Sequence, residues 1–126
     1  MIKRLKPLSI RERRSIKNAS SLLTISKITL IHIKYSSRDT KKYEAMLTYT
    51  QSGKQKHKTV HFGASGYEDY TQHRDKTRRE RYLKRHITRE DWTNPLTAGF
   101  WSRWLLWGEY KSMQRNIFHV RQRFNL

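Results

Sequence analysis

Apolar and polar residues alternate with a period of two in the first half of the chain. Residues 25–35 are rich in β-branched side chains, and residues 43–50 and 55–62 alternate between apolar and polar positions. This period places one set of side chains on each face of a strand. Ser52-Gly53 lies between the second and third runs and is typical of a tight turn. The pattern therefore predicts a three-stranded antiparallel meander.

The second half of the chain carries helix signals instead. Gly63-Ala-Ser-Gly66 ends the predicted sheet, and residues 69–73 form a short connector. Asp75 is an N-cap residue type and precedes a strongly basic segment that we expect to be helical as far as His86. On this helix Tyr82 and Leu83 fall on the inner side.

Two further helices follow. Asn94-Pro95 combines a cap residue with a helix-starting proline, so we expect a helix from there to Trp107 that stops at Gly108. Ser112 predicts the cap of a last helix, whose apolar face would consist of Met113, Ile117, Val120 and Phe124. The fold class expected is α+β, with a basic N-terminal arm (residues 1–24) followed by a single small domain (residues 25–126).

Charge is the dominant feature of the composition. The 126 residues include 28 Lys+Arg and only 10 Asp+Glu, which gives a net charge of +18. The excess is +6 in each of the segments 1–24, 25–62 and 63–126, so a basic tail on a neutral domain is excluded. Self-repulsion of this size favours an anionic partner, namely nucleic acid, an acidic protein surface or an anionic membrane face.

Two segments concentrate the cations, and we expect both to face an anion. Asp75 and Glu80 would pair part of the charge on the helix, and a purely solvated helix face is the alternative. The arm would order only on its partner. The predicted anion-binding residues are Arg11, Arg13, Arg14 and Lys17 in the arm, and Arg74, Lys76, Arg78, Arg79, Arg81, Lys84 and Arg85 in the helix.

All four tryptophans follow within a short segment after the basic helix. Apolar residues at helical spacing usually form a core, but tryptophan is also enriched at protein interfaces. A base-stacking surface for single strands is a further alternative. We expect at least one of Trp101, Trp104 and Trp107 to lie near a partner surface. The full set assigned to a core or an interface is Trp92, Phe100, Trp101, Trp104 and Trp107.

The sequence offers little for catalysis or metal binding. There is no cysteine, six histidines are scattered, and the acidic residues are better explained as caps and arginine partners. We therefore expect no enzyme, no cofactor and no metal. No apolar run reaches membrane-spanning length, and the basic N-terminus lacks the apolar region of a secretory signal, although peripheral contact with an anionic membrane stays open.

Three segments together resemble a known family. They are residues 61–75 (HFGASGYEDYTQHRD), 79–86 (RERYLKRH) and 92–107 (WTNPLTAGFWSRWLLW), and the resemblance covers about residues 57–108. The similar proteins are short, basic and of unassigned function, and are encoded by large nucleocytoplasmic DNA viruses. The resemblance implies a virion or a cytoplasmic virus factory as location. It brings no catalytic residues.

Two functions are consistent with these features. The first is a minor structural protein of a large DNA virus particle, which bridges other virion proteins through the basic arm and the tryptophan-rich helix. The alternative is a basic nucleic-acid-binding protein that condenses or packages the viral genome. The sequence favours the first, because arginine and tryptophan are both enriched at protein interfaces.

Overall fold

The computed structural model describes residues 25–126, apart from the side chains of residues 25–27 and 30. The predicted arm (residues 1–24), with the four basic residues assigned to anion binding there, lies outside the described residues. In the described part, strands come first and helices follow. The predicted α+β class is confirmed.

The sheet is an antiparallel meander of strands β1 (Ile25–Tyr35), β2 (Lys41–Gln51) and β3 (Lys54–Ala64), in that order. The turn between β2 and β3 has two residues with positive φ, Ser52 at 52° and Gly53 at 77°. Two-residue hairpins need this backbone because it matches the twist of the strands. The predicted meander and its turn are therefore confirmed.

One face of the sheet supports the core, and β1 reaches it through an irregularity. Ile28 pairs with Tyr49 while Ile31 pairs with Leu47, so three steps along β1 match two along β2. The extra residue keeps Ile28 and Ile31 on the same face. The period of two predicted for the strands would put Ile28 and Ile31 on opposite faces, and for β1 this is wrong, because Ile28 is buried in the core.

Four helices and one π-helical turn follow the sheet in the described part of the chain. They are α1 (Tyr70–His73), α2 (Lys76–His86), α3 (Ala98–Trp101), the π turn (Ser102–Leu106) and α4 (Met113–Phe124).

Two of the predicted caps hold these helices as expected. Asp75 accepts hydrogen bonds from the backbone N–H groups of Thr77 and Arg78 at 2.9 and 3.2 Å. Ser112 accepts one from the N–H of Arg115 at 3.3 Å. Each satisfies a donor that the first helical turn leaves open.

The tryptophan-rich helix differs from its prediction. The Asn94 side chain accepts a hydrogen bond from the N–H of Leu96 at 3.0 Å, which makes a turn at Asn94-Pro95 instead of a helix start. Thr97 caps α3 by accepting from the N–H of Phe100 at 3.3 Å. The helix then widens, since the N–H of Trp107 donates to the carbonyl of Ser102, five residues back, at 3.0 Å.

The predicted connector at residues 69–73 also differs, because it contains a helical turn. Asp69 caps α1, and its side chain accepts the N–H of Thr71 at 2.9 Å. The Nζ of Lys42, near the start of β2, donates to the buried carboxylate of Asp69 at 2.7 Å, which joins this turn to the end of the sheet.

Aromatic side chains form the centre of the core. The ring of Phe62 on β3 lies 6.5 Å from that of Trp101, which joins the sheet to α3. Phe100 and Trp104 both contact Phe124 of α4, at 5.1 and 5.2 Å between ring centroids. The predicted apolar face of α4 is confirmed, since its four residues pack against this cluster: Met113, Ile117, Val120 and Phe124.

We expect Trp104→Ala to destabilise the domain strongly. The Trp104 side chain is 4% exposed, and its Nε1 donates to the carbonyl of Trp92 at 2.8 Å. Truncating a buried aromatic residue costs on the order of 3–5 kcal/mol, so thermal denaturation should show a melting temperature lower by on the order of 10 °C or more. Phe118→Ala is the control, because Phe118 is 64% exposed. Equal melting temperatures for both variants would contradict this packing.

Candidate anion-binding site

Arg79 attaches the basic helix to the aromatic segment. Its Nε donates to the carbonyls of Trp107 and Gly108 at 3.2 and 2.9 Å. Its Nη2 lies 3.5 Å from Glu109, and the guanidinium lies 5.5 Å from the centre of the Tyr70 ring. The Arg79 guanidinium is thus engaged inside the protein, unlike those of Arg81 and Arg85 on the same helix.

Arg103 reaches the same carbonyl from the π turn. Its Nη1 donates to the carbonyl of Trp107 at 3.1 Å, and its guanidinium lies 4.1 Å from the centre of the Trp104 ring and 5.1 Å from that of Trp92. Burial, together with the nearby charge of Arg79, lowers the pKa of Arg103 to about 10. It remains charged at neutral pH. Sequence reasoning missed this residue, although it lies between two tryptophans of the motif.

A stack of rings continues from Trp107 to α2. The Tyr82 ring lies parallel to Trp107 at 4.2 Å and also stacks on His86 at 4.0 Å. Burial raises the pKa of Tyr82 above its usual range. Glu90 positions the His86 ring at the end of the stack, since its carboxylate lies 2.8 Å from His86 Nδ1. The same carboxylate accepts a hydrogen bond from the Nε1–H of Trp92 at 3.0 Å.

A recess of about 580 Å³ opens beside this stack. One wall is the face of α2 that carries Arg78, Arg81 and Arg85, whose spacing of three and four residues puts them on one side of a helix. The opposite wall contains Lys41 and Lys42, at the start of β2. The back wall is largely uncharged and includes Gly63, Ala98, Gly99, Leu106 and Trp107.

Two glycines allow the back wall to close. A Cβ on Gly63, whose φ is +80°, would lie 2.8 Å from the Leu106 side chain. A Cβ on Gly99 would lie 2.9 Å from the carboxylate carbon of Glu90. Both distances are too short for carbon atoms, so the backbone approaches these side chains only because glycine is present.

Of the five Lys and Arg side chains that line the recess, two are paired with a carboxylate and three are not. Lys42 binds Asp69 at 2.7 Å, and Arg78 lies 3.4 Å from Glu68. The other three side chains make no salt bridge with any described carboxylate: Lys41, Arg81 and Arg85.

The same imbalance holds across the described surface. Of nine Asp and Glu side chains in residues 25–126, seven accept an internal hydrogen bond or ion pair: Glu44, Glu68, Asp69, Asp75, Glu90, Asp91 and Glu109. Of the twenty described Lys and Arg side chains, five form an ion pair: Lys34, Lys42, Arg78, Arg79 and Arg103. Most of the positive charge therefore has no internal counterpart.

The remaining predicted cations of the basic helix have separate places. Arg74 ends α1 with φ of 58° and is exposed, and Lys76 and Lys84 are exposed on α2. The recess therefore brings together Arg78, Arg81 and Arg85 from the predicted set. Lys41 and Lys42 were not in that set, because only the fold places the start of β2 opposite α2.

The predicted aromatic set lies mostly in the core. Phe100, Trp101 and Trp104 are buried, while Trp92 and Trp107 are half-buried. All four tryptophans belong to the described residues, and none of them is exposed. Trp107 lines the recess, which makes it the tryptophan best placed to lie near a partner.

Residues 25–126 contain no group of three or more His, Cys, Asp or Glu side chains placed to hold a metal ion. Across the same residues no helix has the length and apolar character to cross a membrane.

Residues 31–86 match the model of a family of unknown function (DUF5754). The matched segment runs from within β1 to the end of α2, so it includes both charged walls of the recess. It does not extend to the tryptophan-rich segment. Neither a curated protein nor a solved structure matches the chain. Over these residues the chain therefore resembles a family without an assigned function.

Two substitutions on α2 should separate attachment from anion binding. Arg79→Gln removes the charged Nε–H that the carbonyls of Trp107 and Gly108 share. A charge-assisted hydrogen bond of this kind is worth about 1.5–3 kcal/mol, so we expect a clearly lower melting temperature. Arg81→Gln removes the same charge from an exposed position and should leave the melting temperature nearly unchanged. Equal effects of the two changes in thermal denaturation would contradict the role assigned to Arg79.

Proposed function

We propose that this protein binds the phosphate groups of nucleic acid without recognising the base sequence. In this role it would serve as a packaging component of a large DNA virus particle. The observation that carries this proposal is the imbalance of internal pairing. Most described carboxylates accept hydrogen bonds or form ion pairs inside the fold, while most described lysines and arginines form no ion pair. Such a surface displaces the counterions condensed on a nucleic acid when it binds the phosphate groups.

The α2 wall of the recess is the part of this surface best suited to phosphate. Arg78, Arg81 and Arg85 project from one rigid helix face, which Arg79 holds in place from the other side. Arginine binds phosphate through two parallel N–H groups. The viral setting rests on the family resemblance of residues 57–108, and no catalytic role is proposed.

The positions of the tryptophans weigh against a bridging role for the tryptophan-rich helix. Tryptophan favours a shell protein only where it is an interface residue. Trp101 and Trp104 instead fill the core, and their Nε1 groups donate to the carbonyls of Pro95 and Trp92 at 2.7 and 2.8 Å. Their presence is explained without a partner, because buried tryptophan needs such acceptors.

A bridging protein of the virion remains the second candidate, supported by exposed aromatic side chains. Phe118 on the outer face of α4 and Tyr35 at the end of β1 are 64% and 80% exposed. Aromatic side chains are enriched at the centre of protein interfaces. In this case the protein would stay with the shell after gentle disruption of the particle and would not fractionate with the genome.

The salt dependence of DNA binding tests the proposal. For the triple variant Arg78→Gln, Arg81→Gln and Arg85→Gln, the slope of log affinity against log salt should become shallower by about 0.9 for each phosphate that the variant no longer binds. Affinity should fall equally for two duplexes of unrelated sequence. The readout is fluorescence anisotropy over a series of salt concentrations.

The matched control removes the same charge outside the recess, by Lys111→Gln, Arg115→Gln and Arg121→Gln. These exposed residues lie before or on α4. A smaller change of slope for the control supports a role for α2. Absence of duplex binding by the unmodified protein at physiological salt would reject the proposal in favour of the bridging role.

A further inference from the structure

The recess is concave, so its volume limits which ligands can enter it, whereas a flat basic surface sets no such limit. Its volume of about 580 Å³ lies within the range of small-molecule sites, roughly 300–1,000 Å³. The middle of a duplex can contact the exposed arginines at the rim of the recess, but it does not fill such a space. A chain end or a small ligand does enter it.

The charges inside the recess match a group with more than one negative charge. Arg81 and Arg85 lie on one wall and Lys41 on the other, all three without a salt bridge to a described carboxylate. A terminal phosphate carries about −1.5 to −2 at pH 7, whereas a phosphodiester within a strand carries one charge.

The carboxylates that line the recess do not oppose an anion as free charges. Asp69 is bound by Lys42 at 2.7 Å, Glu68 lies 3.4 Å from Arg78, and Glu90 is held by His86 and Trp92. Each is engaged by neighbours that are part of the fold. The uncompensated charge of the recess is therefore positive.

We propose that the recess is a binding site for a terminal phosphate group, presented either by a free nucleoside diphosphate or by the 5′-phosphorylated end of a strand. This inference rests on the proposed phosphate-binding function and assigns it one defined site. Arg81 and Arg85 bind the phosphate from α2, and Lys41 binds it from the opposite wall.

The rings around the recess indicate where an attached base lies. Both faces of Tyr82 are covered, by Trp107 and by His86, so no base stacks there. Tyr67 also lines the recess and is 74% exposed. The ring of Tyr67 is thus the aromatic surface of the recess that is open to a base, and stacking on such rings is tolerant of sequence.

The experiment compares ligands that differ only in the terminal phosphate. One pair is a short oligothymidylate with a 5′-phosphate and the same strand with a 5′-hydroxyl, measured by anisotropy. The other pair is ADP and adenosine, measured by calorimetry at the same ionic strength. We expect the 5′-phosphate to increase affinity about tenfold, as charge-assisted hydrogen bonds of this kind do, and we expect ADP but not adenosine to bind.

Variants then locate the site. The double variant Arg81→Gln and Arg85→Gln should lose the preference for the 5′-phosphate, and Lys41→Gln should weaken it from the opposite wall. The matched control, Lys54→Gln with Lys56→Gln, removes two exposed charges from the far end of β3 and should keep the preference. Circular dichroism confirms that each variant is folded.

The outcomes separate this inference from the function on which it rests. If both oligothymidylates bind equally and ADP does not bind, the terminal-phosphate site is wrong while general nucleic-acid binding stands. If ADP binds and duplex DNA does not, the site stands and the packaging role falls. Preference for the strand end alone, or for ADP alone, identifies which of the two sources the recess takes. If the preference for the 5′-phosphate is kept both in the double variant Arg81→Gln and Arg85→Gln and in the single variant Lys41→Gln, the phosphate binds outside the recess and the assigned site is wrong.

Discussion

The carbonyl end of the π-helical turn is bound by two guanidinium groups, and the placement of the charged surface depends on this contact. Arg79 and Arg103 both donate to the carbonyl of Trp107, from α2 and from the π turn respectively. The carbonyls at the end of a helix carry partial negative charge and lack partners within it. Because the Nε–H of Arg79 is shared between the carbonyls of Trp107 and Gly108, α2 is held with its Arg78, Arg81 and Arg85 side facing β2.

The aromatic core and the basic surface are therefore parts of one arrangement. Trp104 packs against Arg103 on the inside, and Tyr82 joins Trp107 to α2 at the edge of the recess. Buried carboxylates are few and each has a partner, as burial of charge requires. The solvent-exposed surface therefore carries a surplus of cations. This surplus is the basis of the proposed binding to a polyanion, and the recess concentrates it at one place.

Local signals in the sequence predicted much of the fold. The two-residue turn at Ser52-Gly53 and the cap at Asp75 depend on neighbouring residues only, so they could be predicted directly. The bulge that brings Ile28 into the core depends on pairing between strands, which the period of a single strand does not reveal. The candidate site was harder to predict. Arg79 looks like its neighbours in sequence, and Lys41 meets α2 only after folding.

Nuclear magnetic resonance of the isotopically labelled protein, titrated with duplex DNA at physiological salt, tests the central claim most directly. Binding through the unpaired cations predicts that chemical shift changes concentrate at Arg81, Arg85 and the start of β2. The amides around Phe118 on α4 should stay nearly constant. Changes concentrated at Phe118, or no changes at all, would contradict this account of the charged surface.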